Sequence, residues 1–132
     1  RETTGVRAHL NFGHTIGHAI EMAAGEGALL HGEAVSLGLR AALILSERKR
    51  GLASDATSRV LASLHRLDLP LVLEPGLSDE AILETMARDK KFETGQMRFV
   101  LLSALGKAEV NGEVSMTEVR ETLAALRQPW SS

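Results

Sequence analysis

One stretch of the sequence, residues 34–45, is apolar on nearly every side when it is drawn as a helix. Only Ser36 and Arg40 interrupt this run, which is too short to cross a lipid bilayer. A helix that is apolar all round must be surrounded by other parts of the protein. The stretch therefore predicts a buried central helix, extending over residues 32–50, inside a folded domain.

Helical segments dominate the rest of the chain, which is rich in alanine and leucine. Aromatic residues make up only 3% of the sequence, so the predicted core is aliphatic. Apolar spacing and capping residues predict four further helices. One follows Asn11 and ends at Gly25 and Gly27, one is capped by Ser54, one is capped by Ser78 and ends near Lys90, and one opens with a capping box at Ser115 and ends near Arg127.

The sequence changes character between the last two of these helices. Residues 97–103 are apolar and partly β-branched, Leu105 and Gly106 signal a turn, and residues 107–110 follow. This pattern predicts a short β-hairpin. The predicted fold is therefore mainly α, a single domain over residues 1–132 with about five helices and one short β-hairpin.

Two glycines lie inside the first predicted helix, although each is less favourable there than alanine by about 1 kcal/mol. Gly13 and Gly17 are four residues apart and so form a flat stripe along the helix. The stripe predicts that another backbone, or a ligand, approaches this helix closely.

Charge and cysteine content exclude several classes of protein. The net charge is −2, from 15 basic and 17 acidic residues, which gives no electrostatic reason to expect nucleic acid or an anionic membrane as a partner. Cysteine is absent, so disulfides, thiolate metal sites and cysteine nucleophiles are excluded. No signal peptide is visible, and a cytoplasmic location is expected. Because the chain begins at Arg1, we expect it to be a fragment of a longer protein.

Histidines near the start of the chain are the strongest candidates for chemistry. His14 and His18 are four residues apart and project from one side of a helix, roughly opposite Ile16. His31 stands beside Gly32 at the start of the central helix. Imidazoles at this spacing can share a divalent metal, or one can bind metal while the other moves protons. A solvated polar face is the alternative, but the neighbouring glycines and the third histidine favour a metal site.

Two carboxylates lie close enough in sequence to complete such a site. Glu21 lies a further turn beyond His18, which is far along the helix for a shared metal. Glu33 lies in the first turn of the central helix, where the helix dipole favours a carboxylate whatever its function. A structural role is the favoured interpretation for both.

Cationic and amide side chains suggest an anion site. Arg7 and Asn11 precede the start of the first helix, where free backbone N–H groups favour a carboxylate or phosphate. A surface arginine and an ordinary N-cap would be the better interpretation of these two residues alone. Residues 89–91 (DKK), at the end of a helix, would likewise most often be a solvated turn.

Residues 10–21 (LNFGHTIGHAIE) and 30–35 (LHGEAV) closely resemble the 3-dehydroquinate synthase family. Residues 2–7, residues 89–91 and the predicted hairpin are also similar to that family, in the same order. The resemblance covers essentially the whole chain and is most specific at its start. It identifies the chain as most of the family's helical C-terminal domain.

The resemblance implies a lyase that uses a divalent metal, zinc or else cobalt, together with NAD⁺. Such an enzyme converts 3-deoxy-D-arabino-heptulosonate 7-phosphate, a small sugar phosphate, to 3-dehydroquinate and phosphate in the shikimate pathway. Matching motifs imply the roles of individual residues. His14 and His31 match metal ligands, His18 a proton-transfer histidine near the leaving phosphate, and Arg7, Asn11 and one of Lys90 and Lys91 substrate-binding positions.

The resemblance also implies that part of the active site lies elsewhere. The family's third metal ligand, a glutamate, and its NAD-binding domain lie upstream of the matching segment. We therefore expect this chain to be inactive alone and the full-length enzyme to be a homodimer. Other sugar phosphate cyclases, metal-dependent alcohol or glycerol dehydrogenases, and a helical binding module without catalysis are the alternatives.

Overall fold

A computed structural model describes residues 14–25, 31–88, 99–104, 106–111 and 114–130 of the chain. Within these ranges it contains five helices and one two-stranded sheet. The mainly helical fold with one hairpin is therefore confirmed. The elements are α1 (His14–Ala24), α2 (His31–Arg50), α3 (Ser54–Arg66), α4 (Asp79–Ala87), β1 (Phe99–Ala104), β2 (Lys107–Asn111) and α5 (Met116–Leu126).

The central helix α2 forms as predicted and contributes to both hydrophobic clusters found among the described residues. Leu37, Ala41 and Leu45 face the larger cluster, while Leu43 faces the smaller one. The larger cluster is completed by α1, α4, the hairpin and α5. The smaller one is completed mainly by α3 and the segment that follows it. No helix within the described ranges is both long enough and apolar enough to cross a membrane.

Helices α1 and α2 make a backbone-to-backbone contact at Gly17. A Cβ atom added to Gly17 would lie 2.9 Å from the carbonyl oxygen of Ala34 and 3.5 Å from the Cα atom of Gly38. The close approach predicted from the glycine stripe is therefore confirmed at Gly17, while Gly13 lies outside the described residues. Helix α1 ends at Gly25, whose φ of +90° suits glycine and few other residues.

Buried polar side chains of α2 attach the irregular segments to the helices. The Arg40 guanidinium donates from Nη1 to the carbonyl oxygens of Leu71 at 2.7 Å and Gln128 at 2.8 Å. Burial lowers the pKa of this guanidinium from its ordinary value. Ser46 accepts a hydrogen bond from the Leu102 amide at 2.8 Å, which fixes the hairpin against α2. These bonds satisfy backbone groups that the core would otherwise leave without partners.

Two of the predicted N-caps are confirmed, one is wrong, and one helix ends earlier than predicted. The hydroxyl of Ser78 accepts from the Ala81 amide, and Ser115 forms the predicted capping box. The prediction that Ser54 caps α3 is wrong: Ala53 holds the N-cap position, because its carbonyl oxygen accepts the first hydrogen bonds of the helix. Helix α4 ends at Ala87, earlier than the predicted end near Lys90, because Arg88 takes the C-cap position.

The hairpin pairs antiparallel strands at the predicted place. Phe99 stands opposite Asn111 and Leu101 opposite Glu109, with a register shift between Leu102 and Ala104. Gly106, with φ of +87°, lies in the turn. The first four residues of β1 are buried, so the hairpin covers one side of the core.

We expect Gly17→Ala to destabilise the protein by about 1–3 kcal/mol, the range typical of overpacking. The new Cβ would press on the carbonyl of Ala34, which is backbone and cannot rotate away. Gly32→Ala is the matched control, because a Cβ there meets nothing within 4 Å and alanine favours helix. Urea unfolding checks both variants, and a Gly17→Ala protein as stable as the Gly32→Ala control would contradict the contact.

The Glu118 carboxylate should make the free energy of unfolding depend on pH in the acid range. Its hydrogen bond from Lys49 Nζ at 2.8 Å, and a second from the Ser115 amide, hold the pKa of Glu118 below its ordinary value. A lowered folded-state pKa means that the stabilisation is present near neutral pH and is lost as pH falls through that pKa. Glu118→Gln retains the capping box but removes the charge.

Glu118→Gln should therefore unfold at lower urea concentration than the unchanged protein at about pH 7, and the difference should shrink toward about pH 3. Glu121→Gln, on the exposed face of the same helix, is the control that should show little difference at either pH. If the two proteins differ in unfolding urea concentration as much at about pH 3 as at about pH 7, the ionised carboxylate does not contribute to stability in this way.

Candidate functional site

One face of α1 carries the side chains that could bind a metal or transfer a proton. Positions 14, 18 and 21 follow the i, i+4, i+7 spacing, which places them along a single stripe of the helix. Ile16 and Ile20 on the other side are buried, with 2% and 0% of their surface exposed, whereas His18 is exposed. The predicted separation of the His18 side from the apolar side is therefore confirmed.

The structure brings His31 onto this stripe through a hydrogen bond that joins two helices. His31 Nδ1 lies 2.9 Å from Glu21 Oε1, and the two side chains are 71% and 32% exposed. Glu21 is the residue whose contact sequence reasoning missed, because its distance along α1 argued against a role beside the histidines. The spacing of three residues between His18 and Glu21 places both on one face of the helix, and this spacing could have indicated a shared site.

The contact between Glu21 and His31 follows from the way in which α1 and α2 cross. At the crossing Gly17 meets Ala34. Glu21 lies about one turn further along α1, and His31 lies about one turn earlier along α2. The two helices therefore run in opposite directions at this place, and the first residue of α2 faces the second half of α1.

The carboxylate settles which nitrogen of a neutral His31 ring carries the proton. An ionised carboxylate only accepts hydrogen bonds, so the Nδ1 that faces it must donate. The lone pair of the neutral imidazole is then on Nε2, the nitrogen that points away from Glu21. This donor chemistry fits a metal ligand, since histidines that bind metals commonly donate their other N–H to a carboxylate.

Several predicted site residues are not placed by the structure. Arg7, Asn11, Lys90 and Lys91 lie outside the described residues, and nothing is described of the His14 side chain, so their roles stay predictions. Among the side chains that are described, no group of three or more histidine, aspartate or glutamate residues could hold a metal ion.

A cleft of about 290 Å³ opens beside the first turns of α2. Glu33 and Leu37 of α2 line one side, and the segment over residues 70–77, including Glu74, lines the other. Its lining within the described residues holds two carboxylates and no cationic side chain. These two carboxylates disfavour an anionic ligand in the part of the cleft that the structure describes. Glu33 lies in the first turn of α2 as predicted.

Comparison with known proteins gives the family. A family model described as 3-dehydroquinate synthase C-terminal matches residues 1–92. The 3-dehydroquinate synthase of Dichelobacter nodosus is 46% identical over 93% of this chain, and that of Methylococcus capsulatus is 48% identical over 91%. The chain spans about one third (33%) of the length of each of these curated relatives.

Two solved structures share the fold of this chain. One is ValA, a 2-epi-5-epi-valiolone synthase from Streptomyces hygroscopicus subsp. jinggangensis solved with NAD⁺ and Zn²⁺ bound. It aligns with a TM-score of 0.74 and 29% identity over 89% of this chain and 32% of its own. A 2-deoxy-scyllo-inosose synthase aligns with a TM-score of 0.69 and 24% identity over 87% of this chain and 31% of its own, which supports the fold alone.

The family resemblance carried by residues 10–21 and 30–35 is thus confirmed by comparisons that extend over most of the sequence. On this evidence the chain belongs to the 3-dehydroquinate synthase C-terminal family.

Proposed function

We propose that this chain is the metal- and substrate-binding part of a 3-dehydroquinate synthase. The complete enzyme would convert 3-deoxy-D-arabino-heptulosonate 7-phosphate to 3-dehydroquinate and phosphate in the shikimate pathway. The observation that carries the proposal is the placement of His31 against the face of α1 that holds positions 14 and 18. The names of the curated relatives, which are 46% and 48% identical to this chain, support the formation of 3-dehydroquinate as the reaction.

A divalent ion, Zn²⁺ or Co²⁺, would be held by His14 and His31 and would supply Lewis-acid stabilisation of negative charge on a substrate oxygen. The donor chemistry of His31 supports this assignment, because Glu21 leaves the Nε2 lone pair available. ValA, which shares the fold, was solved with Zn²⁺ and NAD⁺ bound. Two imidazoles leave room for a further ligand from another part of the enzyme.

His18 would move a proton near the leaving phosphate. It is exposed on the histidine side of α1 and lies one turn from position 14, so substrate at the metal would be within its reach. Arg7 and Asn11 would hold an anionic group of the substrate near the start of α1, where backbone N–H groups also favour anions. A lysine from the pair Lys90 and Lys91 would hold a second anionic group.

The remaining functions of the enzyme would belong to a separate, N-terminal domain. Because the chain spans a third of its curated relatives, we assign NAD⁺ binding and the third metal ligand to that domain. NAD⁺ would supply the oxidation and later reduction of a ring carbon. We further propose that residues 1–132 form one domain, and that the complete enzyme is a cytoplasmic homodimer.

A different sugar phosphate cyclase is the second candidate, because ValA shares the fold with a TM-score of 0.74. Its identity to this chain is 29%, against 46% and 48% for the curated 3-dehydroquinate synthases. The heptulosonate phosphate is therefore the favoured substrate. An assay that compares phosphate release from the heptulosonate 7-phosphate with release from other sugar phosphates discriminates between the two reactions.

We expect the 132-residue chain alone to release no phosphate from the heptulosonate phosphate when NAD⁺ and Zn²⁺ are added. The same residues within a complete synthase should release it, because only there would NAD⁺ and the third ligand be supplied. Phosphate release is measured colorimetrically, with an intact synthase as positive control. Comparable turnover by the isolated chain would show that this division of the active site is wrong.

In the complete enzyme, Arg7→Ala should reduce kcat/KM roughly 10- to 100-fold, because each charged hydrogen bond to substrate contributes about 1.5–3 kcal/mol. Lys90→Ala and Lys91→Ala, measured side by side, identify the lysine that meets substrate. Lys107→Ala, at the exposed start of β2, is the control for loss of a lysine. Rates equal to the control in all three variants would exclude the proposed anion site.

A further inference from the structure

We infer that Glu21 is a positioning residue that sets the ring orientation and tautomer of His31, so that Nε2 of His31 is presented to a divalent metal. The inference rests on the proposed metal-binding role of His31 and deepens it. Glu21 would not itself bind the metal, and its carboxylate would act on the imidazole alone.

The geometry of the pair supports this role. Glu21 Oε1 and His31 Nδ1 are 2.9 Å apart, a normal length for a hydrogen bond between an imidazole N–H and a carboxylate. The bond joins residues ten positions apart, at the end of one helix and the start of the next. It therefore fixes a ring at the first residue of α2, a side chain that is 71% exposed.

The charge of Glu21 and the His31 tautomer that it favours both prepare His31 to bind a metal ion. The carboxylate accepts the Nδ1 proton, which leaves a neutral ring with its lone pair on Nε2. The negative charge of the Glu21 carboxylate also favours a cation bound at the far nitrogen of the ring. Loss of such a partner typically weakens metal binding about 10- to 100-fold.

Glu33 cannot replace Glu21 in this role. It lies two residues after His31 on the same helix, and residues at that spacing point to different sides. Glu21 reaches the ring from the neighbouring helix because α1 and α2 touch at Gly17. The same stripe of α1 carries positions 14 and 18, so the orienting carboxylate and the other histidines share one face.

A purely stabilising salt bridge is the alternative role for the pair. With 71% of His31 and 32% of Glu21 exposed, such a bridge would add little to the stability of the fold, because water screens exposed ion pairs. Replacement of Glu21 should therefore leave the protein folded, and its effect on metal binding can be separated from unfolding.

The first measurement reports the tautomer of His31 in the metal-free chain. Nitrogen-15 NMR at about pH 8.5, where imidazoles are neutral, should show the proton on Nδ1 of His31. Glu21→Ala should shift the ring toward the Nε2–H form that free histidine prefers in water. His65, exposed on α3, is the internal control whose ring signals should stay unchanged.

The second measurement is the affinity of the chain for Zn²⁺ and Co²⁺, by competition with a chelator and by the visible absorption of bound Co²⁺. Glu21→Ala should weaken binding about 10- to 100-fold, and Glu21→Gln, which retains an acceptor oxygen, should weaken it less. Glu80→Gln is the matched control, because it removes a carboxylate from an equally short, exposed pair with Arg120 at 2.9 Å.

A double-mutant cycle with His31→Ala completes the test. Once His31 is removed, Glu21→Ala should have no further effect on affinity, because Glu21 acts only through that ring. The inference is overturned by an Nε2–H ring in the unchanged protein, by unchanged metal affinity in Glu21→Ala, by an equal loss without His31, or by a chain that binds neither ion. If these results hold and a complete enzyme does not release phosphate from the heptulosonate phosphate, the proposed function fails and the inference stands.

Discussion

The contact between the backbones of α1 and α2 at Gly17 determines the geometry of the candidate site. With no side chain at Gly17, the helix can lie against the carbonyl of Ala34 and the Cα of Gly38. This approach fixes the register of the two helices, and the register places Glu21 opposite His31. A larger residue at position 17 would move the helices apart, and the hydrogen bond one turn away would be lost with the contact.

Helix α2 carries this geometry into the rest of the domain. It is covered on several sides, and its buried polar residues bind the backbone of segments that lie far away in the sequence. Arg40 holds the segment after α3 and the residues after α5, while Ser46 holds the hairpin. Because a buried guanidinium must satisfy its donors, these bonds fix where the irregular segments can lie. Because α2 is anchored along most of its length, the position of His31 at its start is also fixed.

Local patterns in the sequence were sufficient for most of the fold, including the helix contact on which the candidate site depends. The all-apolar stretch predicted α2, the capping box at Ser115 predicted α5, and the glycine stripe predicted the close approach at Gly17. Each of these features depends on residues near one another in the chain. The cap of α3 was misplaced by one residue because Ala53 and Ser54 both allow a helix start, and the choice depends on which carbonyl accepts the first bonds.

The contact between Glu21 and His31 could not be predicted in the same way, because it depends on the register of one helix against another. Periodicity gives the face on which each residue lies but not the position along the helices at which two faces meet.

The exposure of the histidines has a consequence for the chemistry of the site. His18 and His31 are both exposed, and a metal open to water on one side would act in a high dielectric, where charge stabilisation is weak. The proposed chemistry needs a drier environment, which a covering domain would provide. An exposed histidine that is oriented in advance by a carboxylate of the same chain would suit the proposed active site, in which a second domain completes the metal site.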